Sequence, residues 1–194
     1  WNKVGEADIK VESDTAHSLN ENNPSYLVIE NSSDALAGIE NIGFLEGMSI
    51  TQGENYKMSF YAKADEYNGN YTINLAVKGK VVASADVTPT STEWTKYSVI
   101  LTPSVSSNEN VTLQVLMNEG TAYFDMISLF PENTYKGREN GLRSDLATKL
   151  EELEPAFVRF PGGCVIEGYD INSAYDWKDS IGVDSNGMPL EFNG

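Results

Sequence analysis

From Tyr56 onward every second residue is apolar: Tyr56, Met58, Phe60 and Ala62 alternate with Lys57, Ser59, Tyr61 and Lys63. A period of two places one set of side chains on one face of a strand and the other set on the opposite face. The pattern recurs at Tyr71, Ile73, Leu75 and Val77, and again at Val111, Leu113, Val115 and Met117. Further strands fit Ile9–Glu12, Tyr26–Glu30, Ile42–Ile50, Val81–Val87, Trp94–Leu101 and Thr121–Phe130. Lys78-Gly79-Lys80 supplies a tight hairpin, because Gly tolerates positive φ. About nine strands punctuated by Gly, Asn, Pro and Ser, with no helical stretch among them, predict an antiparallel β-sandwich of jelly-roll type over residues 1–131.

After Pro131 the period changes. Leu142, Leu146, Leu150 and Leu153 recur at helical spacing, and Pro155 ends the helix they predict. The short apolar run Ala156–Phe160 follows, then Pro161-Gly162-Gly163. Helix, strand and glycine-rich loop make half a βαβ repeat, so residues 132–194 read as part of a (β/α)8 barrel. A whole barrel takes eight strands and about 200 residues or more, so this segment does not complete one.

Charge narrows the partners. The 194 residues carry 29 acidic and 13 basic side chains, a formal net charge of −16. Nucleic acid and anionic membrane surfaces need clustered Lys and Arg, and none cluster here. No run of about 18 apolar residues offers a membrane span. Cys164 is the single cysteine, which rules out an internal disulfide or a multi-cysteine metal site. The chain starts at Trp1 without a visible signal peptide, so the compartment stays open, secretion and the periplasm included. N-x-[ST] triplets begin at Asn31, Asn70 and Asn110, and such triplets are common by chance in an Asn-rich chain.

The stretch Ser128–Ala147 (SLFPENTYKGRENGLRSDLA), then PAFVRFPGGCVIEG from Pro155 and YDWKDSIG from Tyr175, resembles the catalytic-domain entry of α-L-arabinofuranosidases of glycoside hydrolase family 51. The preceding residues resemble, more loosely, the carbohydrate-binding-like jelly roll that larger family members insert after their first barrel strand. The resemblance implies a retaining glycosidase acting on terminal α-L-arabinofuranosyl groups of plant arabinan and arabinoxylan. That chemistry uses two carboxylates about 5 Å apart. In the family these are glutamates on later barrel strands, which are missing here, and Glu167 matches neither. The chain alone is therefore expected to be inactive, with the rest of its own barrel as partner and no cofactor required. The resemblance places Arg159 and Cys164 in or beside the arabinose pocket. Gly162 and Gly163 would allow close backbone approach there, and Trp177 would lie near it.

Within the sandwich, Tyr61, Tyr67 and Tyr71 cluster around a turn beside Asn68, Asn70 and Asn74 and form a candidate sugar-stacking platform. Aromatics are also simply usual in strands. Trp94 fits a core position or a platform equally well. Asp125 interrupts the apolar last strand. It is either an outward strand residue or a structural Ca²⁺ ligand of the kind such modules hold, with Glu6, Asp8 and Glu30 as further oxygen donors. His17, the lone histidine, reads as a solvated loop residue. Two alternatives remain beside the arabinofuranosidase reading: a self-sufficient carbohydrate-binding module, and a spacer that binds no sugar.

Overall fold

The computed structural model describes residues 1–157 other than 45, 46, 66 and 68, together with Gly163, Gly168, Tyr169 and Ala174. The chain forms two compact units, residues 1–146 and residues 147–194.

The first unit is a sandwich of two five-stranded sheets. In chain order the strands are β1 (Asn2–Val4), β2 (Asp8–Ser13), β3 (Ser25–Asn31), β4 (Ala37–Asn41), β5 (Tyr56–Asp65), β6 (Tyr71–Val77), β7 (Lys80–Val87), β8 (Thr95–Leu101), β9 (Val111–Met117) and β10 (Gly120–Pro131). Sheet A runs β1-β4-β9-β6-β7 and sheet B runs β2-β3-β10-β5-β8, with every pairing antiparallel. Tyr56, Met58, Phe60 and Ala62 of β5 meet Tyr71, Ile73 and Leu75 of β6 in one buried core with Val111, Leu113, Val115 and Met117 of β9. The period-two reading of these strands is what the sandwich buries. The fold is mainly β, as the sequence predicts.

Two details differ from the sequence reading. The expected strand Ile42–Ile50 is irregular where described, and makes one bridge, Ile50 to Ser107. Gly43 and Gly47 stand at φ +73° and +116°, which a pleated strand does not accept. The strand lies just before, at Ala37–Asn41, where Ala and Gly masked it. Strand β1 is only three residues long and carries no readable period. The β6–β7 hairpin turns on Lys78 and Gly79, both at positive φ, as a two-residue primed turn requires.

Beyond β10, Glu132 and Asn133 bond back to Asn55 and Glu54, and Lys57 pairs with Glu139 at 2.5 Å. The one α-helix among the described residues, α1, spans Ser144–Glu152, within the predicted helical stretch. Its stripe is open: Leu146, Leu150 and Leu153 are exposed, as are Leu142 and Phe157. Of the predicted strand Ala156–Phe160, residues 158–160 lie outside the described residues. No helix of the described residues is long and apolar enough to cross a membrane.

Candidate functional site

The expected tyrosine platform does not form. Tyr71 is fully buried and Tyr67 is 7% exposed. Tyr71 shares the phase of Ile73 and Leu75, so its ring enters the core and meets Phe124 at 4.8 Å between centroids. Tyr67 folds in beside it. Gly69 and Gly120 make the room, since a Cβ on Gly120 would stand 2.6 Å from the Tyr67 ring. The Tyr67 hydroxyl donates to the Asn70 carbonyl at 2.7 Å. Tyr61 alone of the three faces outward, half-buried on β5.

Sheet B presents a different aromatic group on that outer face. Lys63, also outward on β5, places its ammonium 4.9 Å from the Tyr123 ring centroid, 5.3 Å from Trp94 and 5.7 Å from Tyr26. Trp94 meets Tyr26 edge-on at 5.9 Å, and its indole N–H donates to the His17 carbonyl at 2.9 Å. The same carbonyl accepts from Lys63 at 3.0 Å. His17 is thus held by this cluster, and its ring contacts Asp14 at 2.5 Å. That hydrogen bond, joined by the Ala16 backbone N–H, lowers the Asp14 carboxyl below its ordinary range. One row along, Lys96 stands over the Tyr61 ring at 5.9 Å, and Tyr61 pairs in register with Lys96 and Asp125.

The outer face of sheet A is polar. Glu40, Gln114, Asn74 and Ser84 stand in register across β4, β9, β6 and β7. Asn74 donates to Gln114 at 3.3 Å, and Gln114 donates to Glu40 at 3.4 Å. Between the edge strands β1 and β2 lies an open cavity of about 660 Å³ walled by Trp1, Ile9, Val11, Leu27 and Ile127. Asn2, Lys3, Asp8 and Ser25 also line it.

The calcium expectation at Asp125 finds no support in the arrangement. Among the described residues no three His, Cys, Asp or Glu side chains converge to hold a metal. Asp125 sits at a bulge of β10, where Met126 takes φ +50°, and its carboxylate accepts the Met126 N–H at 2.7 Å. Glu30 pairs with Thr121, four residues along the same strand and therefore about 13 Å away. Glu6, Asp8 and Glu30 do line one depression, but Lys10 already bridges Asp8 and Glu30 at 3.1 Å each.

Of the barrel-side candidates, Arg159, Gly162, Cys164 and Trp177 lie outside the described residues. Gly163 is exposed at φ +106°, with open space where a Cβ would stand.

Residues 1–121, more than half of the chain, match the model of a carbohydrate binding domain. The chain belongs to the carbohydrate-binding domain family. Further along the chain, residues 149–191 match the alpha-L-arabinofuranosidase 1 domain. Most of the chain is similar to α-L-arabinofuranosidases. An extracellular exo-α-L-arabinofuranosidase of Streptomyces chartreusis is 36% identical over 84% of this chain and 20% of its own length. α-L-Arabinofuranosidase A of Aspergillus kawachii is 33% identical over 94% of this chain and 30% of its own length. The solved structure of an arabinose-bound family 51 α-L-arabinofuranosidase superposes on 94% of this chain with a TM-score of 0.82 at 30% identity, and this chain spans 31% of it. The carbohydrate-binding domain and its C-terminal extension thus span between a fifth and a third of such relatives.

Proposed function

We propose that this chain is the non-catalytic module and barrel entry of an α-L-arabinofuranosidase, a retaining glycosidase that releases terminal arabinofuranosyl groups from plant arabinans and arabinoxylans. One observation carries the reading: a carbohydrate-binding domain match over residues 1–121 is followed on the same chain by an α-L-arabinofuranosidase domain match over residues 149–191.

In this reading Arg159 and Cys164 stand beside the arabinose pocket of the assembled enzyme. The guanidinium would hold a catalytic carboxylate ionised. The thiol offers a weak hydrogen bond to a sugar hydroxyl. Gly162 and Gly163 let the backbone approach, and Trp177 offers a ring. The remainder of the barrel is the first partner, and the exposed Leu146, Leu150, Leu153 and Phe157 are surface it would cover. Polysaccharide is the second partner.

Aryl α-L-arabinofuranosides test the reading. The parent enzyme carrying this segment should hydrolyse them, and the present chain alone should not. A parent enzyme that leaves them untouched while cleaving another glycoside overturns the assignment.

A further inference from the structure

We infer that the outer face of sheet B around Tyr61, Lys63, Trp94 and Lys96 is the surface on which this sandwich holds a neutral pentose-rich polysaccharide chain. The inference rests on the reading of the sandwich as a sugar-binding module, and goes beyond it by locating the site and its ligand chemistry.

Three features favour this face. The first is ring supply. Sugars present C–H faces that stack on aromatic rings, and half-buried Tyr61, Trp94 and Tyr123 all stand on this face. Sheet A offers only the polar row through Asn74 and Gln114, without a ring among its described outward residues.

The second feature is rigidity. The Trp94 ring is fixed by three contacts: its N–H on the His17 carbonyl, Tyr26 at its edge and the Lys63 ammonium against it. A side chain held before the ligand arrives loses little rotamer freedom on binding.

The third feature is the polar complement and its charge. Ser59, Tyr61 and Lys63 follow one another outward on β5, with a repeat of about 6.8 Å set by the strand itself. Ser98 and Ser128 flank Ser59, while Lys96 and Asp125 flank Tyr61. The Tyr61 row therefore has an ammonium and a carboxylate beside its ring, and the exposed Ser98 adds a hydroxyl one row along; these groups can donate to and accept from sugar hydroxyls. The face mixes both signs of charge, with Asp125, Asp14 and Glu12 close to the lysines, and the chain as a whole carries −16. A polyanion would meet those carboxylates, whereas a neutral chain uses them as acceptors.

The test is calorimetric titration of the 194-residue chain with neutral arabinan and arabinoxylan oligosaccharides. It is repeated with Trp94→Ala, Tyr61→Ala and, on the opposite sheet, Gln114→Ala. Circular dichroism of each variant checks folding. The exposed Lys96→Gln gives a fourth variant whose folding is not at stake. Expected are saturable binding by the wild type, an affinity loss of ten-fold or more in Trp94→Ala and Tyr61→Ala, a smaller loss in Lys96→Gln, and unchanged affinity in Gln114→Ala. Binding that survives Trp94→Ala and Tyr61→Ala but fails in Gln114→Ala overturns this location and leaves the sugar-binding reading standing. No heat from the wild type at millimolar ligand overturns both. Tighter binding of uronate-bearing than of neutral oligosaccharides overturns the neutral-chain assignment alone.

Discussion

Tyr67 and Tyr71 stack inside the sandwich, their ring centroids 5.4 Å apart and their planes 13° from parallel. The pair seals one end of the core with Phe124 and Phe60, and it comes at a cost: the Tyr71 hydroxyl is buried without a hydrogen-bond partner. Removing that hydroxyl alone should therefore be harmless. Tyr71→Phe is expected to leave stability unchanged or raise it by up to about 1 kcal/mol, whereas Tyr71→Ala should cost about 3–5 kcal/mol. Urea unfolding midpoints decide the matter, and a loss in Tyr71→Phe would reveal a partner for the hydroxyl.

The same burial gives the sandwich an alkaline limit. Desolvation pushes the Tyr71 phenol well above its ordinary ionisation range, and that of Tyr67 upward too. The folded state holds these protons more tightly than the unfolded chain does. Their contribution is fully present below about pH 10, the unfolded value, and is lost as the pH rises through it toward the folded ionisation. Stability measured from pH 8 to 11.5 should fall at the alkaline end, and the fall should be shallower in Tyr71→Phe.

Gly38 pairs with Leu116 where β4 lies beside β9, and a Cβ there would stand 2.2 Å from the Val115 carbonyl oxygen. Backbone cannot give way as a flexible side chain does. Gly38→Ala is expected to lower stability by about 1–3 kcal/mol, read from thermal or urea unfolding. An unchanged midpoint would mean that β4 can slide away from β9.

Asn31 is 4% exposed, and its amide donates to the Ala35 carbonyl at 2.8 Å and the Met117 carbonyl at 2.9 Å. It also accepts the Ser33 N–H at 3.1 Å. Here an N-x-[ST] triplet has a structural use, tying the β3–β4 turn to the end of β9. Asn31→Ala should cost about 1–3 kcal/mol through the polar groups it leaves unbonded. Asn31→Asp, which sets a buried carboxylate oxygen against the Ala35 and Met117 carbonyls, should cost at least as much.

Lys10 already pairs with both Asp8 and Glu30, and Asp125 serves the β10 bulge. Millimolar Ca²⁺ or EDTA is accordingly expected to leave the melting temperature of the chain unchanged. A rise of several degrees with Ca²⁺ would show a folded-state site, because a ligand bound only by the native state stabilises it.

The strands were legible wherever a run alternated strictly. β6 and β9 fall where the pattern places them, Tyr71–Val77 and Val111–Met117. β4 was hidden because its Ala and Gly carry little strand signal, and the Gly43–Gly47 segment passed for a strand because sequence does not display φ. The Tyr67–Tyr71 error has the same root. Adjacency in sequence suggested a shared surface, while the phase of Tyr71 with Ile73 already pointed it inward. Trp94 fits core and platform equally by sequence, since its neighbours Tyr26 and Lys63 come from strands far away in the chain.

The sequence by itself determined the two-sheet character of the chain and the change of period after Pro131. It also carried the RFPGGC signature that ties the C-terminal part to α-L-arabinofuranosidases, because periodicity and motif spacing are local properties. Only the tertiary structure decided which tyrosines are core and which are surface, that Asp125 and Glu30 stand too far apart to share an ion, and that Lys63 gathers three rings around it. Those outcomes depend on strand register and sheet order, which join residues dozens of positions apart and leave no local trace.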